Sequence, residues 1–123
     1  MAKHEDAGVF VSALLHSSTV AHFLHLSTKS YAEHKALGHF YEDILDLADK
    51  WAETYQGHHG LIPLTAYLDD FKVQKDAKAY ISGLLSFAKG SRDTLPDDPD
   101  LQNIHDEIVG LIASTLYKLT NLS

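Results

Sequence analysis

The stretch from Ser30 to Tyr55 constrains the fold more than any other part of the chain. Leu37, Phe40, Tyr41, Ile44, Leu45, Ala48, Trp51 and Tyr55 recur at helical steps, which puts them on one stripe of an amphipathic helix. The segment carries its own start signal. In Ser30-Tyr31-Ala32-Glu33 the serine hydroxyl can accept from the Glu33 amide, and the Glu33 side chain can reach back to Ser30. Gln56-Gly57 offers a stop, because glycine suits the left-handed position just past a helix.

Three further segments share this period. The first spans about Asp6 to Leu26, with Val9, Phe10, Leu14, Val20, Phe23 and Leu24 as its apolar positions. Leu26-Ser27-Thr28-Lys29 joins it to the second helix. His58-His59-Gly60 reads as loop, and Leu61 to Leu68 is predicted to form a short helix with Pro63 near its start. A third long helix is predicted over about Gln74 to Lys89, ending at Gly90, and a fourth over about Leu101 to Leu119. Between them, Arg92 to Asp100 holds Pro96, Pro99 and four aspartates and reads as a solvated loop. No segment alternates as a half-buried strand does. The predicted fold is all-α, one domain over residues 1–123. It is a four-helix bundle of the ferritin-like kind, with a long crossover between the second and third helices.

Composition narrows what such a bundle does. Hydrophobic residues are 45% of 123, enough for one core in a domain small enough to gain from oligomerisation. No apolar run approaches the roughly 18 to 20 residues of a membrane span, so no membrane partner is expected. The start, Met1-Ala2-Lys3-His4-Glu5-Asp6, has an acidic pair where a signal peptide has a basic region, and a cytoplasmic location is expected. There is no cysteine, which removes disulfides, thiolate catalysis and Cys-based metal sites. The net charge of −7 and the scattered basic residues make nucleic acid an unexpected partner. Histidine is over-represented: five of the nine fall between His16 and His39.

Those histidines and one acidic pair carry the candidate chemistry. Asp49-Lys50-Trp51-Ala52-Glu53 sets two carboxylates at i and i+4, side by side on one face. They sit in the C-terminal half of the helix, where the macrodipole disfavours negative charge by a few tenths of a kcal/mol, and a cation would compensate them. His22 and His25 share a face near the end of the first helix, and His34 lies one turn into the second. Imidazoles mixed with carboxylates are the ligands of non-haem iron, manganese or zinc. His105 and Asp106 add two candidate ligands on the last helix. The plainer readings are a wet helix face for Asp49/Glu53, surface or capping roles for the histidines, and a first-turn dipole role for Asp106.

The spacing resembles a known family. His34 follows His22 by twelve residues, Asp49 follows His34 by fifteen, and Glu53 closes a D-x-x-A-E segment four later. These steps resemble those of the DNA-protecting miniferritins, the Dps family. The likeness runs from about Ala21 through Gly57 to Pro63-Leu-Thr-Ala-Tyr67-Leu68, which is similar to that family's short crossover helix. Small ferritin-like proteins of tailed bacteriophages are similar too. They share a pattern like His25-Leu-Ser-Thr-Lys-Ser-Tyr-Ala-Glu-His34-Lys-Ala-Leu-Gly38 and a closing Leu116-Tyr117-Lys118-Leu119. The count points to His22 as the partner of His34, and the phage-like pattern points to His25.

The resemblance implies a ferroxidase-type iron site across a two-fold interface through helices 1 and 2. The His pair would come from one subunit and Asp49/Glu53 from its neighbour, making the chain a homo-oligomer, in the host cytoplasm if phage-encoded. Zinc or manganese would suit the same donors. The chain departs from the family at Gly38, where an acidic residue is common, and it lacks the Lys-rich tail that would imply DNA binding. Gln56, three residues after Glu53, breaks the Glu-x-x-His motif of an intrasubunit diiron site. Two other classes fit the sequence. One is an inactive member of the fold serving as a structural or interaction protein, such as a phage component with a host or phage protein partner. The other is a small-ligand oligomer with a His- and Tyr-lined cleft.

Overall fold

The computed structural model describes residues 4–123. Met1 to Lys3, and the part of the N-terminal charge reading that rests on them, lie outside the described residues. Four helices make up the bundle: α1 (Glu5–Ser27), α2 (Tyr31–His59), α3 (Ala77–Gly90) and α4 (Pro99–Asn121). Short 3-10 turns sit at Leu64–Ala66 and Ser91–Asp93, and there is no strand among the described residues. The architecture is the predicted all-α four-helix bundle with a long crossover between its second and third helices.

Helix α2 is the centre of the packing, with α1 on one side and α4 on the other, while α3 rests mainly on α4. Its stripe of Leu37, Phe40, Ile44, Ala48 and Trp51 is fully buried. Trp51 meets Phe10 of α1 edge-on at 4.8 Å, so one aromatic contact joins the two helices. Phe23 and Leu45, expected in the core, instead face outward at 42% and 40% exposure. Both flank the inward stripe, outside the arc that the neighbouring helices cover.

Helix α1 is apolar nearly all round. Contrary to the sequence expectation, it is long and apolar enough to cross a membrane by length and composition. The interruptions in it are uncharged serines, threonine and histidines, which break a run without lowering its mean much. Within the bundle 61% of that stretch is buried. Its buried hydroxyls are satisfied: Ser17 donates to the Leu14 carbonyl at 2.6 Å and Ser18 to the Tyr41 carbonyl of α2 at 2.8 Å.

Helix α2 starts as predicted and ends later than predicted. Ser30 accepts from the Glu33 amide at 3.2 Å, but the Ser30 amide goes to the Thr28 hydroxyl at 3.1 Å rather than to the Glu33 side chain. The helix runs through Gly57 and includes His58 and His59, which were expected in a loop. It stops at Gly60, whose φ of +96° is the one positive value among the described residues. The Gln56 side chain then accepts from the Ile62 amide at 2.9 Å and turns the chain into the crossover. That crossover passes over α1 at Gly8, where any Cβ would collide with the Ala66 carbonyl. The Leu68 amide donates to Ser12 at 2.8 Å and pins it there.

Candidate functional site

The α1–α2 corner brings two of the predicted histidines into direct contact. His25 Nδ1 donates to the His34 carbonyl at 2.6 Å, and His34 Nδ1 donates to the His25 carbonyl at 2.9 Å. A carbonyl oxygen only accepts, so both Nδ1 atoms carry the proton, and in a neutral ring the lone pair is then on Nε2. The two rings stack with centroids 3.7 Å apart and planes 18° from parallel. Of the two α1 candidates it is therefore His25 that meets His34. His22 stacks instead on Tyr41 at 4.0 Å, and its ring lies 6.0 Å from that of His25. Tyr41 touches His25 edge-on at 5.3 Å, so the four rings form one cluster.

Gly38 explains how the cluster fits. A Cβ at that position would lie 3.1 Å from Cε1 and 3.2 Å from Nδ1 of His25. Where the resembling family commonly has an acidic side chain, this chain has space for an imidazole.

The acidic pair sits elsewhere. Asp49 and Glu53 are both exposed on the outer side of α2, and Lys50 between them pairs with Glu107 of α4 at 3.7 Å. At 1.5 Å per residue they lie about 22 and 28 Å from His34 along the helix. Among the described residues no group of three or more His, Asp or Glu is close enough to hold a metal ion. One chain thus carries an imidazole pair and a carboxylate pair that its own helix keeps apart.

His105 and Asp106 join neither pair. His105 is buried, donates through Nε2 to the Ala88 carbonyl at 2.7 Å, and stacks on Phe10 at 5.0 Å. Burial pulls its pKa below the ordinary value, so it holds α3 to α4 as a neutral hydrogen-bonding ring. Asp106 pairs with Arg92. Asp106 is the eighth residue of α4, beyond the first turn where the helix dipole favours a carboxylate.

A second histidine pair, His58 and His59, is not the loop that the sequence suggests but a tie between two helices. His58 Nε2 meets Asp100 at 2.8 Å and His59 Nε2 meets Asp98 at 2.8 Å, tying the last turn of α2 to the start of α4. The hydrogen bond to Asp100 raises the His58 pKa, and the bonds to His59 and His58 lower those of Asp98 and Asp100. The charges also match their helix ends, since a protonated His58 lies at a C-terminus and the two carboxylates at an N-terminus. The available signal was Asp98-Pro99-Asp100, with proline in the first helical position.

Comparison with known proteins finds a similar phage protein. It is 29% identical over 118 residues to an uncharacterized 14.6 kDa protein in the mobD-ri intergenic region of Enterobacteria phage T4. That alignment covers 96% of this chain and 91% of the phage protein. No solved structure matches. The model of a family of unknown function, DUF5856, matches residues 25–119, from His25 of the ring cluster to the last turn of α4, and the chain belongs to that family.

Proposed function

We propose that this protein is a ferritin-like, Dps-related metal-binding protein that oxidises or sequesters iron at a site shared between two copies. His25 and His34 of one copy would bind the metal together with Asp49 and Glu53 of another. The observation that carries this reading is the reciprocal bonding of the two imidazoles. Metal-ligating histidines characteristically give their second ring N–H to a carbonyl or carboxylate, which fixes the tautomer and the ring's orientation. Both rings here do so, and Gly38 leaves His25 the room to do it. The donor chemistry fits iron: imidazole nitrogens suit Fe(II), and exposed carboxylates suit Fe(III). Iron, when bound, supplies the electrons passed to dioxygen or peroxide. The residues' own work is to bind it, to hold the tautomer, and through Asp49 and Glu53 to require a partner copy. Similarity to a phage protein supports the host cytoplasm as the place where this happens.

Aerobic addition of Fe(II) to the purified protein tests it. Ferric absorbance should rise faster than in buffer alone, and His34→Ala or Glu53→Ala should return it to the buffer rate. Oxidation no faster than buffer in the wild type would sink the proposal. Light scattering adds a second constraint: a monomer in solution cannot bring the two pairs together.

A specific observation favours a second reading, that of a non-catalytic interaction or structural protein of the same fold. The outer side of α1 leaves Phe23 42% and Leu26 68% exposed on a nearly uncharged helix, an apolar face suited to a protein partner. In that case assembly occurs without iron oxidation.

A further inference from the structure

The crossover forms with α1 and α3 an open cavity of about 440 Å³. Small-molecule sites span roughly 300 to 1,000 Å³. Small residues, Ala13, Ala79 and Gly83, line part of it. Gly83 is the informative one. It sits inside α3, where glycine weakens a helix, and beyond its own helix backbone and chain neighbours no atom lies within 4 Å of the place its Cβ would occupy. No close approach in the chain's own packing calls for glycine there. On the same helical stripe, one turn to either side, Tyr80 and Phe87 line the cavity as well, so a side chain at position 83 would project between them.

The remaining walls are aromatic and polar. Phe71 of the crossover is 44% exposed, with the His16 ring 5.4 Å from it. Lys72 and Gln74 add donors. Burial pushes the Tyr80 hydroxyl up to about 12, so it stays protonated and able to donate at any physiological pH. Flat rings in three walls favour a flat guest, because offset and edge-on ring pairs gain beyond simple burial. Donors outnumber acceptors around it, Asp70 being the one carboxylate.

We infer that this cavity is a binding site for a planar aromatic molecule of one or two rings that presents a hydrogen-bond acceptor to Tyr80. The site lies on the α1–α3 side of the bundle and shares no residue with the metal proposal, so either stands or falls alone.

Naphthalene-2-carboxamide serves as the probe, titrated into the full chain by calorimetry and followed by methyl NMR. Saturable one-to-one binding is expected, with the largest shifts at the methyls of Ala13 and Ala79. Gly83→Leu should fill the cavity and weaken binding by about tenfold or more. Its melting temperature should stay at or above wild type, since leucine is the better helix former. Tyr80→Phe should weaken binding severalfold and leave the stoichiometry unchanged, which keeps the test sound should the leucine variant fold poorly. Absence of saturable binding to the wild type would overturn the inference. So would a folded Gly83→Leu protein that binds as well as wild type, or shifts centred away from these methyls.

Discussion

Helix α2 carries a histidine pair at each end, and the two pairs are built to opposite specifications. At the start, His34 and its α1 partner His25 donate to neutral backbone carbonyls. At the finish, His58 and His59 face the carboxylates of Asp100 and Asp98. A carbonyl takes an N–H without adding charge and leaves the far nitrogen with its lone pair. A carboxylate stabilises the protonated ring, and a protonated imidazole has no lone pair to give. Equal residue content therefore yields a ligand-like pair at one end and, at the other, a tie to carboxylates in which His58 is drawn toward its protonated form. Counting histidines says nothing about this difference; the acceptors decide it.

The largest predicted effect tests that contrast directly. Zinc titrated by calorimetry should lose about a hundredfold or more in affinity in the double variant His25→Ala/His34→Ala. The matching variant His58→Ala/His59→Ala should bind like wild type. Equal losses in the two variants would erase the distinction, and losses only in the second would reverse it.

How much of this was legible beforehand depended on how local its cause was. The start of α2 was readable because Ser30 and Glu33 are three residues apart and the cap needs nothing else. Its end was misplaced because Gly57 and Gly60 are equally good local stops, and the choice between them is tertiary. Asp98 and Asp100 hold the last turn in place from about forty residues away. The same applies to the ring cluster. Spacing on a helix nominated both His22 and His25, but which of them meets His34 depends on how the chain turns between Thr28 and Ser30. Phe23 and Leu45 obeyed the helical period and still faced outward, because the period fixes a stripe's direction and the neighbours decide its width.

Glycine offers a sharper test, since α2 contains two inside the helix with opposite surroundings. An alanine in place of an interior helical glycine ordinarily gains roughly 0.5–1 kcal/mol. Gly57 has nothing within 4 Å of its missing Cβ, so Gly57→Ala should show that gain in urea denaturation. Gly38 has the His25 ring at 3.1 Å, and that ring is held by its hydrogen bond and its stack on His34. Gly38→Ala should therefore show no gain, or a net loss of about 0.5 kcal/mol, together with weaker zinc binding. Equal stabilisation by the two substitutions would mean that His25 moves aside freely and that the cluster is not a fixed site.

The smallest effect concerns the tie at the far end of α2, and its sign follows from the shifted groups. His58 is raised above its ordinary 6.5, so its contribution to stability is present below that pH and is lost as pH rises through the folded value. Asp98 and Asp100 are lowered below 3.8, so theirs is present above that pH and is lost as pH falls through the folded values. All three contribute together between about pH 4 and 6.5. His105, lowered by burial, acts in the opposite sense: its contribution is present above 6.5 and declines as pH falls. Acidification from pH 8 to 5.5 therefore strengthens the tie while weakening the core around His105. The variant Asp98→Asn/Asp100→Asn keeps hydrogen-bond acceptors but removes the charges. Both aspartates are ionised at pH 5.5 and at pH 8, so any loss of helix-dipole stabilisation is the same at the two values. The gap in melting temperature between wild type and variant should nonetheless be wider at pH 5.5, and it should shrink in high salt, as expected for exposed charges. A gap that does not change with pH would mean that His58 is bonded as a neutral ring, and the two ends of α2 would then differ in their acceptors but not in their charge.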